Sequence, residues 1–220
     1  MGSLGETAVG TRTAQAEGPP TVPSTVAFVV LGASFALTAI IVVLAVIATL
    51  GRDETVRLVA DPHALAPALD SASTLGGMAF LASAAAWIST AWWLIDLRRV
   101  ADWAAPGHPH RRSSWWALAA WVVPVVSLWF PYQLVADCSR ALRSRVTGFW
   151  PWWIGWLLMS TGSMVNVPAE LATAQDVDRW VLGTQISAVL AVVTFVLWWR
   201  IVRSATRAAA DAVSEVRVPS

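Results

Sequence analysis

The chain reads as an all-α, polytopic transmembrane helical bundle: four spanning helices plus a Pro-broken re-entrant or interfacial helical segment. Three observations lead there. Hydrophobic residues make up 56% of the 220 residues and charged residues only 13%, which is too apolar for an ordinary soluble domain. Four stretches, 25–50, 71–95, 146–169 and 180–199, contain no Asp, Glu, Lys or Arg. A fifth uncharged stretch, WWALAAWVVPVVSLWFPYQLV from Trp115 to Val135, is broken by Pro124 and Pro131 and has arginines on both sides.

Each of the four unbroken stretches reaches across a hydrocarbon layer of about 30 Å, because a helix rises about 1.5 Å per residue. Lipid offers no hydrogen-bond partners to a backbone, so these stretches are expected to be helices, with spans at about 25–50, 72–97, 148–167 and 179–202. Residues 1–24 lack hydrophobic periodicity and are expected to be a disordered cytoplasmic tail. The run RLVADPHALAPALD, residues 57–70, holds two prolines and is expected to be an outer loop. After Arg200 the Ala-rich run RIVRSATRAAADAVSEVR continues the last helix into water, and residues 205–220 form the cytoplasmic C-terminal tail.

Arginine placement chooses among topologies. With four spans, a non-spanning elbow at 114–145 and both termini inside, twelve of the 15 basic residues fall on the cytoplasmic side, and only Arg52, Arg57 and Arg179 lie outside. A spanning elbow divides them less unevenly, and cytoplasmic loops are the positive ones. The Trp-Trp pairs at 92–93, 115–116, 152–153 and 198–199 then all sit at the cytoplasmic interface beside arginines, with Trp180 marking the outer side. Tryptophan belts at both membrane surfaces have this character. The expected site is the cell inner (cytoplasmic) membrane, multi-pass.

Within the elbow, Pro131 opens a helix running to about Arg145. Leu134, Cys138, Ala141 and Leu142 share one face, while Asp137, Arg140 and Arg143 lie elsewhere, the pattern of a helix lying on an interface. Trp116-Ala117, then Trp121, Pro124, Leu128 and Pro131-Tyr132-Gln133 resemble the signature of the actinobacterial domain-of-unknown-function 4328 (DUF4328) membrane protein family. The resemblance covers roughly residues 75–205. Ser127 stands where that family usually shows Asn, and Phe130 where it often shows Arg. The resemblance implies a multi-pass membrane protein and no established reaction, and it makes Trp116, Trp121, Pro124, Leu128, Pro131, Tyr132 and Gln133 the interaction candidates.

Catalytic, cofactor and metal sites are not expected. His108 and His110 in GHPHRR supply two potential ligands without the further Cys, His or carboxylate that a tetrahedral site needs, and the topology puts His63 across the membrane. The lone Cys138 excludes an intramolecular disulfide. The uncharged span cores hold no ionisable group of the kind that marks a proton pathway, and Ser160, Thr161 and Ser163 around Gly162 have no adjacent base. Arg98, Arg99, Arg111 and Arg112 are the candidates for binding anionic lipid headgroups. Expected partners are the lipid bilayer, anionic lipids, and a protein partner or a second copy of the chain, with no nucleic acid and no cofactor. Two functions fit: a membrane interaction or scaffold protein using its cytoplasmic Trp/Arg-rich face, and a small-solute or lipid transporter component, since broken helices often line substrate sites.

The elbow predicts a labelling result. In a Cys138→Ala background, single cysteines at Ala105 and Thr147 should react with a membrane-impermeant maleimide from the same side of the membrane. Reaction from opposite sides would show that the elbow crosses.

Overall fold

A computed structural model describes residues 20–108, 130–144, 149–165 and 173–217. Residues 1–19 of the expected tail at 1–24, Arg111 and Arg112, and the first part of the elbow, including Trp116, Trp121, Pro124 and Leu128, lie outside the described residues. Six helices and no strand occur among the described residues: α1 Ser24–Leu50, α2 Arg52–Ala60, α3 Pro62–Ala104, α4 Phe130–Ala141, α5 Phe149–Val165 and α6 Ala174–Arg217.

Among the described residues three helices, not the expected four, are long and apolar enough to cross a membrane: Ser24–Leu50, Gly76–Ala104 within α3, and Ala174–Glu215 within α6. The difference lies in α5. Its 17 residues rise about 26 Å, short of a full hydrocarbon thickness. It nevertheless joins the bundle alongside α6. The lipid-like character of the outer surface is evident from Phe28, Leu50, Phe80, Leu81, Ile88, Val189 and Leu182, which are all well exposed. Water would not tolerate a continuous apolar surface of this kind, whereas a bilayer covers it without cost.

Contacts along the helices set their directions. Gln185 Nε2 donates to Thr49 Oγ1 (3.1 Å), and Phe35 meets Phe195 at 5.8 Å between ring centres, so α1 and α6 run antiparallel. Trp152 meets Trp198, and Gly155 faces Thr194, so α5 also runs antiparallel to α6. The start of α1, the end of α3, the start of α5 and the Trp198 region of α6 therefore gather at one end. Here a single core forms from Trp93, Leu94, Leu97 and Val100 of α3, Trp152 and Trp153 of α5, Trp198, Ile201 and Val202 of α6, and Leu134, Val135 and Cys138 of α4.

The opposite end is smaller. Ala48, Val177 and Val181 form its core beneath Val56, Val59 and Trp180. Arg52 Nε donates to Asp178 Oδ1 (2.6 Å), tying α2 to the start of α6. That start carries a reciprocal cap: Asp176 N–H donates to Thr173 Oγ1, and Thr173 N–H donates to Asp176 Oδ2.

The expected outer loop at 57–70 is instead helical on both sides of a single break. Asp61 is extended (φ −123°, ψ 97°), and Pro62 opens α3. Proline forces its predecessor out of the helical region and itself suits the first helical position, so Pro62 restarts a helix here, and Pro67 lies within it. At the other end of the molecule, α4 closes at Ala141, earlier than the expected Arg145. Ser144 N–H donates to Ser139 C=O and Arg143 N–H to Arg140 C=O, with Arg143 at φ 52°. These are the hydrogen bonds of a Schellman cap, whose left-handed residue is usually glycine.

Arg143 therefore carries a backbone cost that glycine lacks, about 1 kcal/mol. Replacing Arg143 by Gly should raise the midpoint of thermal unfolding in detergent by about 2–4 °C, and Arg143→Val should lower it. A lower midpoint for Arg143→Gly would show that the side chain, not the backbone, decides this position.

Candidate functional site

The Trp-rich end holds the residues with chemistry. Pro131 is buried in the first turn of α4, where its missing N–H leaves no hydrogen bond unmade. Tyr132 packs on Trp150 of α5 at 4.7 Å between ring centres. Gln133 is partly buried, and its Oε1 has no hydrogen-bond partner. The structure thus brings Tyr132 of the family-like signature against the start of α5.

Leu134, Cys138, Ala141 and Leu142 are buried together, as the shared face requires, and Arg140 and Arg143 are exposed. Asp137 departs from the expected pattern, being only 3% exposed. Arg140, one turn on, reaches back so that its Nη2 donates to Asp137 Oδ1 (2.6 Å), while Asp137 Oδ2 has no partner. Val135 and Ser139 are buried as well. So α4 is a packed core helix more than a surface helix with one apolar stripe.

Arg98 of α3 is buried, and its Nε donates to both carboxylate oxygens of Asp102, at 2.9 and 3.0 Å, leaving Nη1 without a partner. Arg99 is exposed and donates from Nη1 to Asp96 Oδ1 (2.9 Å). Of the four expected headgroup-binding arginines, the two that are described, Arg98 and Arg99, are thus engaged by carboxylates of their own helix, and Arg98 is buried. Burial pushes the Cys138 thiol from 9.0 up to about 12; the Arg98 charge opposes this, and Asp102 and Asp137 add to it. Arg98 and α4 are thereby linked electrostatically across the α3–α4 packing.

Beneath these groups lies a run of five indoles. Trp93 meets Trp198 edge-on (5.7 Å, 82°), Trp152 stacks on Trp198 (4.7 Å, 17°), Trp152 adjoins Trp153 (5.5 Å), and Trp153 stacks on Trp156 (4.8 Å, 10°). Trp93 Nε1 donates to Thr206 Oγ1 at 3.1 Å. Sequence reasoning treats these pairs as interfacial anchors, but Trp93, Trp152, Trp153 and Trp198 are buried. Among the described residues, Trp87, Trp92, Trp150 and Trp199 are the exposed tryptophans.

A family model, domain of unknown function (DUF4328), matches residues 58–207. The chain belongs to the DUF4328 family. No curated protein and no solved structure matches it. The DUF4328 match begins near the end of α2 and closes at Arg207, so it takes in α3, α4, α5 and the Trp-rich part of α6. Helix α1 stands outside it, although α1 packs on both α3 and α6.

Three cavities border this end. One of about 90 Å³ lies among α1, α3, α5 and α6, lined by Thr38, Thr90, Trp152, Trp156 and Thr194, and Thr194 Oγ1 has no hydrogen-bond partner. A groove of about 240 Å³ lies between α1 and α6. A cleft of about 570 Å³ is formed by the ends of α3, α4 and α6, with a floor of Ala104, Ala141, Leu142, Ala208 and Ala212 and a rim of Arg143, Asp211 and Glu215. No group of three or more metal-ligating side chains occurs among the described residues. His108 ends the first described segment, and His110 lies outside it.

The thiol offers a check on this packing. With an ionisation near 12, Cys138 stays protonated from pH 7 to 9, and any stability it confers is constant below about pH 9 and lost only as pH rises toward 12. In nanodiscs at pH 8, maleimide should label Cys138 only after denaturation. Labelling of the native protein within minutes would show that α4 is not seated on the bundle.

Proposed function

We propose that this chain is a multi-pass protein of the cell inner (cytoplasmic) membrane with both termini cytoplasmic. It acts as an interaction or scaffold protein rather than an enzyme, using the Trp/Arg-rich end. Orientation follows from charge. Arg98, Arg99, Arg140, Arg143, Arg200, Arg203 and Arg207 belong to the Trp-rich end, whereas Arg52, Arg57 and Arg179 belong to the other. Positive segments are retained in the cytoplasm.

The cleft of about 570 Å³ carries the interaction reading. Its alanine floor permits close approach of another helix or an extended segment, and its rim offers both signs of charge for orientation. A protein partner or a second copy of the chain is the occupant proposed for it. The small-solute or lipid transporter reading draws support from a different feature, the inter-helix cavity with the unpartnered Thr194 hydroxyl.

A photo-crosslinking amino acid at Ala212, in the cleft, should give a discrete protein adduct in native membranes, while the same group at the exposed Val189 of the span should give none. Equal yields at both positions, or no adduct at Ala212, would contradict the interaction reading. Solute or lipid flux in liposomes above that of protein-free vesicles would favour the transporter.

A further inference from the structure

The arginines of the Trp-rich end fall into two groups. Arg98, Arg99 and Arg140 are each paired with a carboxylate on their own helix. Arg203 and Arg207 of α6 form no ion pair among the described residues, and they lie one helical turn apart, on the same face. Arg203 is held over the Trp199 ring, 5.2 Å from its centre, which positions its guanidinium without neutralising it.

These two side chains border the groove of about 240 Å³ between α6 and the start of α1. Its remaining lining is Val22, Ser24, Ala27, Phe28, Leu31, Thr206 and Ala210, with no acidic residue. The next carboxylate along α6, Asp211, lines the separate cleft instead. Phe28 is 77% exposed, so the apolar side of the groove opens outward to the surface that the bilayer covers. The groove therefore offers two guanidiniums without an ion pair among the described residues, one of them over Trp199, beside an apolar lining of Ala27, Phe28 and Leu31 from α1.

We infer that this groove binds one anionic phospholipid, its phosphodiester held between Arg203 and Arg207 and an acyl chain lying along Phe28 and Leu31. The chemistry is specific to this class. A zwitterionic lipid brings its own cation to a site already holding two, and a free fatty acid lacks the spread of oxygens that two guanidinium forks engage. Thr206 also lines the groove, and because its hydroxyl oxygen accepts the Trp93 indole N–H, its own O–H is left to donate to a phosphate oxygen. The site thus joins α1, which lies outside the family match, to the family's last helix through a shared lipid.

Native mass spectrometry of the full chain tests this, with phosphatidylglycerol or phosphatidylcholine added to the detergent-purified protein. One phosphatidylglycerol should be retained in at least about tenfold preference over phosphatidylcholine. Arg203→Gln/Arg207→Gln should lose that preference, while Arg57→Gln/Arg179→Gln, at the other end, should keep it. Ala210→Trp, which fills the groove and leaves both arginines in place, should also lose the bound lipid. It keeps the test informative if the double variant unfolds. Equal retention of the two lipids by the unaltered chain, or an undiminished preference in the folded double variant or in folded Ala210→Trp, would overturn the assignment.

Discussion

The close crossing of α5 and α6 at Gly155 and Thr194 is the constraint on which the rest depends. A side chain at Gly155 would overlap Thr194 Oγ1, so the two helices meet here with the threonine hydroxyl seated against a bare glycine. In a bilayer no hydrophobic force draws one apolar helix to another, and such small-residue contacts decide which faces meet. One turn below the crossing, Trp152 lies flat on Trp198, and Trp198 in turn receives Trp93 edge-on. The indole of Trp93 then reaches Thr206. Three helices are locked at one end by this chain of contacts, and α4 rests on the same core through Leu134, Val135 and Cys138.

The two ends of the molecule consequently differ in kind. At the Trp-rich end large aromatic and aliphatic groups surround buried polar atoms that lack partners among the described residues: Arg98 Nη1, Asp137 Oδ2 and Ser139 Oγ. Such atoms carry a desolvation cost that the surrounding packing must offset. The opposite end has a core of three small residues and solvent-facing ion pairs such as Arg52 with Asp178 and Arg57 with Glu54. Exposed pairs of this type contribute little to stability. The fold is therefore anchored where its polar and charged groups are also concentrated, which suits a surface that must hold its shape while meeting lipid or another protein.

Much of this architecture is legible in the residue order. Uncharged runs of sufficient length mark α1 and the apolar parts of α3 and α6, because helix rise and bilayer thickness leave little choice. The shared end of the Trp-Trp pairs at 92–93, 152–153 and 198–199 follows from their spacing along antiparallel helices. What composition does not distinguish is a tryptophan anchoring at an interface from one filling a core, since both look alike in a one-dimensional pattern; Trp93 and Trp198 are buried by the helices that pack around them. The buried Asp137 is hidden for a similar reason. Its position off the apolar face predicts exposure, and only the returning Arg140 and the packing of neighbouring helices make burial tolerable. Helix α5 falls short of a span because a stretch without charges bounds a helix from above, not from below. Pro62 restarts a helix where two prolines suggest a loop, and the discriminating feature is local: one extended residue, Asp61, is enough.

An engineered disulfide tests the central crossing most directly. A Cβ built on Gly155 lies 3.5 Å from Thr194 Cβ, within the range of about 3.5–4.5 Å that disulfides span. In a Cys138→Ala chain held in native membranes, Gly155→Cys with Thr194→Cys should oxidise to an intramolecular bridge in near-quantitative yield, and Leu158→Cys with Thr194→Cys should not. Failure of the first pair together with bridging of the second would place α5 in a different register on α6 and contradict the account of the aromatic core.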